Sequence, residues 1–186
     1  LGFIIKLLAI AETSGDAISV RVHPALVPEH HPLASVRDAF NAVFIEGERI
    51  GQLMFLGRGA GGDPTASAVL GDLIDAAKNL STGRPGAQLG AFRNLPVQTI
   101  DDATAGFSII LDAADAPGVL AIIADAFGRN GVSIQSMQQS EHGDEAELVL
   151  ITHPAREGDV RTTVDALRAL DAVTRVTSVL RVVSAQ

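Results

Sequence analysis

The most constraining feature of the sequence is a succession of strand and helix patterns after residue 104. Apolar residues at every second position of 107–111 indicate a half-buried strand, and apolar residues at helical spacing in 119–127 indicate a helix. The same reasoning predicts strands at 132–139, 146–153 and 174–183, and a helix marked by Val160, Val164 and Leu167. This β-α-β-β-α-β order, over about 80 residues, predicts a ferredoxin-like sheet with both helices on one face. The other face is left without cover, which favours dimerisation.

The first 80 residues are less regular. Strand patterns are found at residues 7–12, 17–23, 41–46 and 52–56, and a helix pattern at 64–78. Pro24, Pro28 and Pro32 predict an irregular stretch after the second strand. These elements predict an antiparallel or mixed sheet with one helix that is not complete by itself, so the chain as a whole is α+β.

A boundary is predicted between these two parts. Residues 81–86 are rich in turn residues, and no sustained period follows before residue 101. Residues 101–186 hold most of the net charge of −8. We therefore expect a first domain at 1–80, a linker at 81–104 and a second domain at 105–186.

Composition excludes several classes of function. Neither part has a basic stripe, and Trp and Tyr are absent, which argues against nucleic acid as a partner. Cys is absent, so disulfides and thiolate sites are excluded.

His23, His30 and His31 are expected in a solvated loop and not in a metal site, which would need three or four ligands. The longest apolar run, residues 1–11, is too short to span a bilayer, and no secretion signal is found, so we expect no membrane partner and a cytoplasmic protein.

The segment 57–62 has the pattern G-x-G-x-x-G between a predicted strand and a predicted helix. Glycines let a backbone approach a pyrophosphate, and a helix start offers free N–H groups. A dinucleotide fingerprint also needs a following parallel strand, with an acid about 20 residues on, and no such strand follows here. Three interpretations stay open: a true fingerprint, a plain glycine-rich turn, and a loop that touches a cofactor held mainly elsewhere.

A second candidate site is the turn at residues 115–120. Asp115 is placed to cap the helix, and Gly118 leaves the N–H groups of the first turn open. These groups and the helix dipole suit a carboxylate. The alternative is an ordinary capped helix with no ligand.

Several motifs, taken in order, resemble those of a known family. The chain is similar to homoserine dehydrogenases in LGFIIKLLA at 1–9, VHP at 22–24, HPL at 31–33, FNAV at 40–43, GRGAG at 57–61 and PTASAV at 64–69. The part after residue 104 resembles an ACT domain in DAPGVL at 115–120 and NGVSI at 130–134. The order and spacing resemble bacterial homoserine dehydrogenases with a C-terminal ACT domain.

The resemblance implies a function for the first part. The family interconverts L-aspartate 4-semialdehyde and L-homoserine with NADPH or NADH, in threonine and methionine biosynthesis. The chain is expected to be a C-terminal fragment that is inactive alone and holds no catalytic residue. Gly59, Ala60, Gly61 and Thr65 are expected on the cofactor side, whereas Gly57 and Gly62 are interpreted as turn geometry. The rival hypothesis is a free-standing, amino-acid-binding ACT regulatory protein.

For the second part, the resemblance implies an amino-acid effector, with threonine as the first candidate. We expect Asp115 or Asn130 to accept from the effector's ammonium and Gln138 to reach its hydroxyl. The expected effector residues are Asp115, Pro117, Gly118, Val119, Leu120, Asn130 and Gln138. ACT domains are expected to assemble the protein as a homo-oligomer. The alternative is a degenerate domain that only dimerises.

Overall fold

The computed structural model describes residues 2–83, 90, 92–142 and 145–183. Its strands are β1 (Phe3–Ser14), β2 (Ala17–Pro28), β3 (Phe40–Gly47), β4 (Gly51–Arg58), β5 (Thr104–Ala114), β6 (Ile134–His142), β7 (Glu145–Thr152), β8 (Ala155–Arg156) and β9 (Val173–Val182). Its α-helices are α1 (Gly62–Thr82), α2 (Val119–Arg129) and α3 (Glu157–Arg168). Short 3-10 turns are found at Pro32–Ser35 and Ile100–Asp102.

The large sheet has the strand order β1-β2-β9-β5-β7-β6, and the short β8 pairs with β5. Its last four strands, in the order β9-β5-β7-β6, are antiparallel and form the ferredoxin-like part. Among the described strands, β2 and β9 alone pair with each other in parallel, so the sheet is mixed. The predicted α+β class and β-α-β-β-α-β order are confirmed.

The hydrophobic core lies between this sheet and α2 and α3. Alternate residues of β5 point into it, and α2 and α3 each contribute residues at helical spacing. Among the residues at most 2% exposed are Phe107, Ile109, Leu111, Ile123, Phe127, Leu148, Leu150, Val160 and Leu167. The buried hydroxyl of Thr152 accepts a hydrogen bond from the Phe107 N–H at 3.0 Å, which satisfies a polar group inside this core.

Strand β2 continues through Pro24 to Pro28, so the irregular stretch predicted there is wrong up to residue 28. The reason lies in the spacing of the prolines. The Leu26 carbonyl accepts from the Val183 N–H, so the even-numbered positions of β2 turn their backbone groups toward β9. Pro24 and Pro28, which have no backbone N–H, therefore face this edge of β2. There β9 pairs only with Ala25 and Leu26, so no strand hydrogen bond needs the absent N–H groups. The ladder between β1 and β2 is therefore uninterrupted.

The chain forms two compact units: Leu1–Glu29 with Leu95–Gln186, and His30–Asn94. This division differs from the predicted boundaries at 80 and 105, and the single sheet predicted for the first 80 residues is wrong. Strands β3 and β4 form a separate antiparallel pair, whereas β1 and β2 extend the ferredoxin-like sheet. The cause is the free edge of β9, which the sequence periods of the first part do not reveal.

Residues of the predicted linker also belong to the first unit. Ile18 exchanges backbone hydrogen bonds with Pro96 and Gln98, at 3.0 and 2.8 Å. Asp101 and Asp102 form ion pairs with Arg161 and Arg156 of α3 and its N-cap. Residues 84–89 and 91 of that linker lie outside the described residues. In the described part of the chain, no helix is long and apolar enough to cross a membrane.

Candidate functional site

The glycine loop, defined as Gly59–Gly61, joins β4 to α1. The Gly59 N–H donates to the Ala39 carbonyl at 3.1 Å, and Gly61 is the N-cap of α1 at φ +123°. That backbone angle favours glycine, because L side chains rarely adopt it. No side chain caps α1, so the first-turn N–H groups face the loop without a side-chain acceptor.

The other two glycines of the pattern do not form turns. Gly57 lies in β4, in register with Asn41, and Gly62 is the first residue of α1. Neither has a positive φ, so their interpretation as turn geometry is wrong. Within this unit the loop brings Gly59, Ala60 and Gly61 together with Thr65, whose N–H donates to the Gly61 carbonyl at 3.2 Å. These four residues are exposed.

The turn before α2 is held by its own backbone. Ala116 N–H donates to the Ala114 carbonyl and Val119 N–H to the Ala116 carbonyl, at 3.0 and 3.3 Å. Gly118, at φ +92°, is the N-cap and supplies no side chain. The N–H groups of Leu120 and Ala121 therefore have no intrahelical partner, as at any helix start. They are free to bind a carboxylate.

Asp115 does not cap α2, so that expectation is wrong. Its carboxylate instead accepts a hydrogen bond from Gln139 Nε2 of β6 at 3.3 Å. The expected Gln138 is in register with Val149, and its side chain points to the opposite face of the sheet from Gln139. Gln139 is thus the residue that sequence reasoning missed. Only the strand register distinguishes the two adjacent glutamines.

The structure does not bring Asn130 to this turn within one chain. Gly118 is the N-cap of α2 and Asn130 its C-cap, so Asn130 lies about 18 Å along the axis from Gly118. Its Nδ2 donates to the Ala126 carbonyl at 2.8 Å. Val119 is 9% exposed and packs in the core, so it offers a ligand its backbone, whereas Leu120 is 40% exposed.

An open groove of about 630 Å³ lies between α2 and α3. It is lined by Ala121, Ile122, Asp125, Ala126, Arg129, Asn130, Ala166 and Leu170. Asp125 and Arg129 form an ion pair across one helical turn at 2.7 Å. None of residues 115–118 lines the groove, but Ala121, one of the two residues with an open N–H at the turn, does.

Two of the three histidines are not in a solvated loop, contrary to expectation. His31 is 9% exposed and caps the first 3-10 turn, since its Nδ1 accepts from the Leu33 N–H at 3.2 Å. His23 is 8% exposed on β2, and its Nδ1–H donates to the Pro24 carbonyl at 3.0 Å. Its Nε2 has no partner among the described residues. Within the same described part, no group of three or more His, Asp and Glu side chains is arranged to hold a metal ion.

Burial lowers the pKa of His23 below 6.5, and the nearby Arg181 and Arg21 add to this effect, against the Pro24 hydrogen bond and the Glu157 carboxylate. The unfolded chain therefore takes up this proton at a higher pH than the folded chain, so His23 lowers the free energy of unfolding as pH falls below about 6.5.

We predict that His23→Gln flattens the fall in unfolding free energy between pH 7.5 and 5.5, as measured by urea unfolding. The exposed His30→Gln is the matched control. A pH slope unchanged by His23→Gln contradicts the prediction.

Both parts of the chain are similar to known proteins. Residues 1–74 match the family model for homoserine dehydrogenase, and residues 107–172 match that for the ACT domain. Homoserine dehydrogenases of Corynebacterium glutamicum and Mycobacterium leprae are 45% and 46% identical over 97% of this chain. The chain spans 42% and 44% of their lengths. The crystal structure of a homoserine dehydrogenase from Thiobacillus denitrificans superposes with a TM-score of 0.87 at 33% identity, over 98% of this chain and 43% of that one.

These matches decide between the two hypotheses drawn from the sequence. A free-standing ACT regulatory protein is not favoured, because the part before the ACT domain matches the dehydrogenase model along most of its length. The similarities therefore point to a homoserine dehydrogenase part at residues 1–74, followed by an ACT domain at residues 107–172.

Proposed function

We propose that the chain is part of a homoserine dehydrogenase, which interconverts L-aspartate 4-semialdehyde and L-homoserine in threonine and methionine biosynthesis. The observation that carries the proposal is the family match over residues 1–74, which includes the glycine loop and the start of α1. NADPH or NADH supplies the hydride that reduces the aldehyde carbon to an alcohol.

The role of this chain's residues in that reaction is to contact the cofactor. The glycine loop presents bare backbone, and the uncapped start of α1 offers N–H donors. Asp63 in the first turn opposes a phosphate by like charge, so the neutral carboxamide end of the nicotinamide fits this helix start better than the pyrophosphate. Thr65 adds a hydroxyl one turn into the helix. We assign no catalytic residue to this chain.

The ACT domain is proposed to bind a small amino acid, with threonine as the first candidate. The effector's carboxylate would accept from the N–H groups of Leu120 and Ala121, beside the side-chain-free Gly118. The Asp115 carboxylate, already hydrogen-bonded to Gln139, would accept from the ammonium. This arrangement binds both charged ends of an amino acid within one turn of the chain.

A homo-oligomer formed through the ACT domains is part of the same proposal. In the described sheet, β9 has β2 on its outer side, whereas β6 is an edge strand. Two copies that pair by strand edges would therefore use β6, which carries both Gln138 and Gln139. A pair of this kind brings a glutamine of each copy near the turn of the other.

Dehydrogenase activity of the encoded protein tests this proposal. The protein as encoded, with any sequence that precedes residue 1, is expected to form NADPH or NADH from homoserine, measured as absorbance at saturating substrate. Residues 1–186 alone are expected to show no turnover, since they span about two fifths of the relatives. Rates with the two cofactors, compared side by side, determine the preference. An encoded protein that is folded and inactive with both cofactors contradicts the proposed function.

A further inference from the structure

The side chain of Asn41 occupies the space that a side chain at position 59 would need. A Cβ built on Gly59 would stand 1.6 Å from Asn41 Nδ2 and 2.8 Å from its Cγ. Atoms that are not bonded do not approach so closely, so any residue other than glycine at 59 must displace the Asn41 amide. At Gly57 and Gly62, by contrast, an added Cβ meets nothing within 4 Å.

Asn41 lies at the open end of the β3–β4 pair, away from the turn that joins the two strands. Asn41 is in register with Gly57, and the preceding Phe40 with Arg58, whose guanidinium lies 5.1 Å from the Phe40 ring centre. The Ala39 carbonyl accepts from the Gly59 N–H. Ala39 and the first two residues of β3 thus hold the chain that enters the glycine loop, and Asn41 is the one whose side chain reaches Gly59.

The Asn41 amide is also available to a ligand. Asn41 is exposed, and among the described residues its side chain makes no hydrogen bond. A primary amide has two donor hydrogens and one acceptor oxygen. An amide that packs against a glycine backbone without a hydrogen-bond partner has its full donor and acceptor capacity left beside the loop.

We propose that Asn41 is a positioning residue for the nicotinamide dinucleotide. Its side chain fixes the backbone of Gly59 and keeps position 59 free of any side chain, so that the loop presents bare backbone to the cofactor. This inference rests on the proposed function, in which the loop contacts that cofactor. It gives a reason for glycine at position 59 although the φ there is not positive: an added Cβ would have to push the Asn41 amide aside.

The test is a double-mutant cycle in the encoded protein, with Asn41→Ala, Gly59→Ala and the pair combined. Each single change is expected to raise the KM for the nicotinamide cofactor by about threefold to tenfold, because the loop backbone is then no longer held in one position against the cofactor. The double variant is expected to be no worse than the poorer single, because Gly59→Ala already displaces the Asn41 amide. The KM for homoserine and the Tm are expected to stay unchanged. Gly57→Ala, with open space at its Cβ, is the matched control and is expected to behave as the parent.

The outcomes separate this inference from the function on which it rests. A parent enzyme that is active, with Asn41→Ala and Gly59→Ala leaving its cofactor KM unchanged, overturns the positioning role and leaves the proposed function intact. Effects that multiply in the double variant overturn it as well, since the two residues would then act independently. A parent without cofactor-dependent activity refutes the proposed function itself.

Discussion

Replacing Phe127 by alanine is expected to lower the free energy of unfolding by about 3–5 kcal/mol, the usual cost of removing a buried phenylalanine ring. Phe127 is 1% exposed and lies on the face of α2 that packs against β5 and β7. The loss combines the lost transfer of the ring from water with the cavity left behind. Since small domains are stable by about 5–15 kcal/mol, this single change removes a large share of the total. Urea unfolding followed by circular dichroism measures it.

Ile122→Ala is the matched control on the same helix. Ile122 is 49% exposed, so its truncation is expected to cost less than about 1 kcal/mol. Equal losses for the two variants would contradict the packing of α2 described above. A lower m-value in Phe127→Ala would indicate a changed denatured or native state and would require comparison of the transition midpoints.

The second large effect is expected at Gly118. Gly118→Asp places a carboxylate where the effector's carboxylate is proposed to bind, and repulsion between them is expected to weaken threonine binding at least about tenfold. Any L residue is strained at φ +92°, although Asn and Asp tolerate the left-handed region better than most. Gly118→Asn has nearly the same shape and strain without the charge, so it is the matched control. Isothermal calorimetry with threonine measures both.

The comparison of these two variants isolates charge from shape. Binding that Gly118→Asn keeps and Gly118→Asp loses supports a carboxylate site at this turn. Equal loss in both variants would contradict it, because strain and bulk would then explain the effect. No heat with any aspartate-family amino acid, in a folded oligomer, would leave the ACT domain with a structural role only.

Local patterns were sufficient to predict the ferredoxin-like part. The periods in 107–111 and 119–127 correspond to β5 and α2, because each of these elements buries one face in a single core. The first part was harder to predict, since its apolar residues do not enter that core. Ile5, Leu7, Val20 and Val22 are 60–73% exposed, and none of the residues of α1 is buried. The attachment of β2 to β9 depends on a long-range backbone edge that no sequence period encodes.

The candidate sites were predicted as segments but not in detail. Gly59–Gly61 was assigned to the cofactor side through the family resemblance. The turn at Gly118 was identified from turn residues before a helix, because an open helix start is a local property. The choice of Gln139 over Gln138 depends on the register of β6 with β7, and the contact of Asn41 with Gly59 depends on that of β3 with β4. Register is fixed by tertiary packing, and a shift by one residue reverses the faces.

The most direct test of the account measures homoserine oxidation by the encoded protein while threonine is titrated into the assay. NADPH or NADH formation is expected to fall as threonine rises, and this fall is expected to be abolished in Gly118→Asp and retained in Gly118→Asn. A rate that does not depend on homoserine, or a threonine response that Gly118→Asp leaves intact, would contradict it.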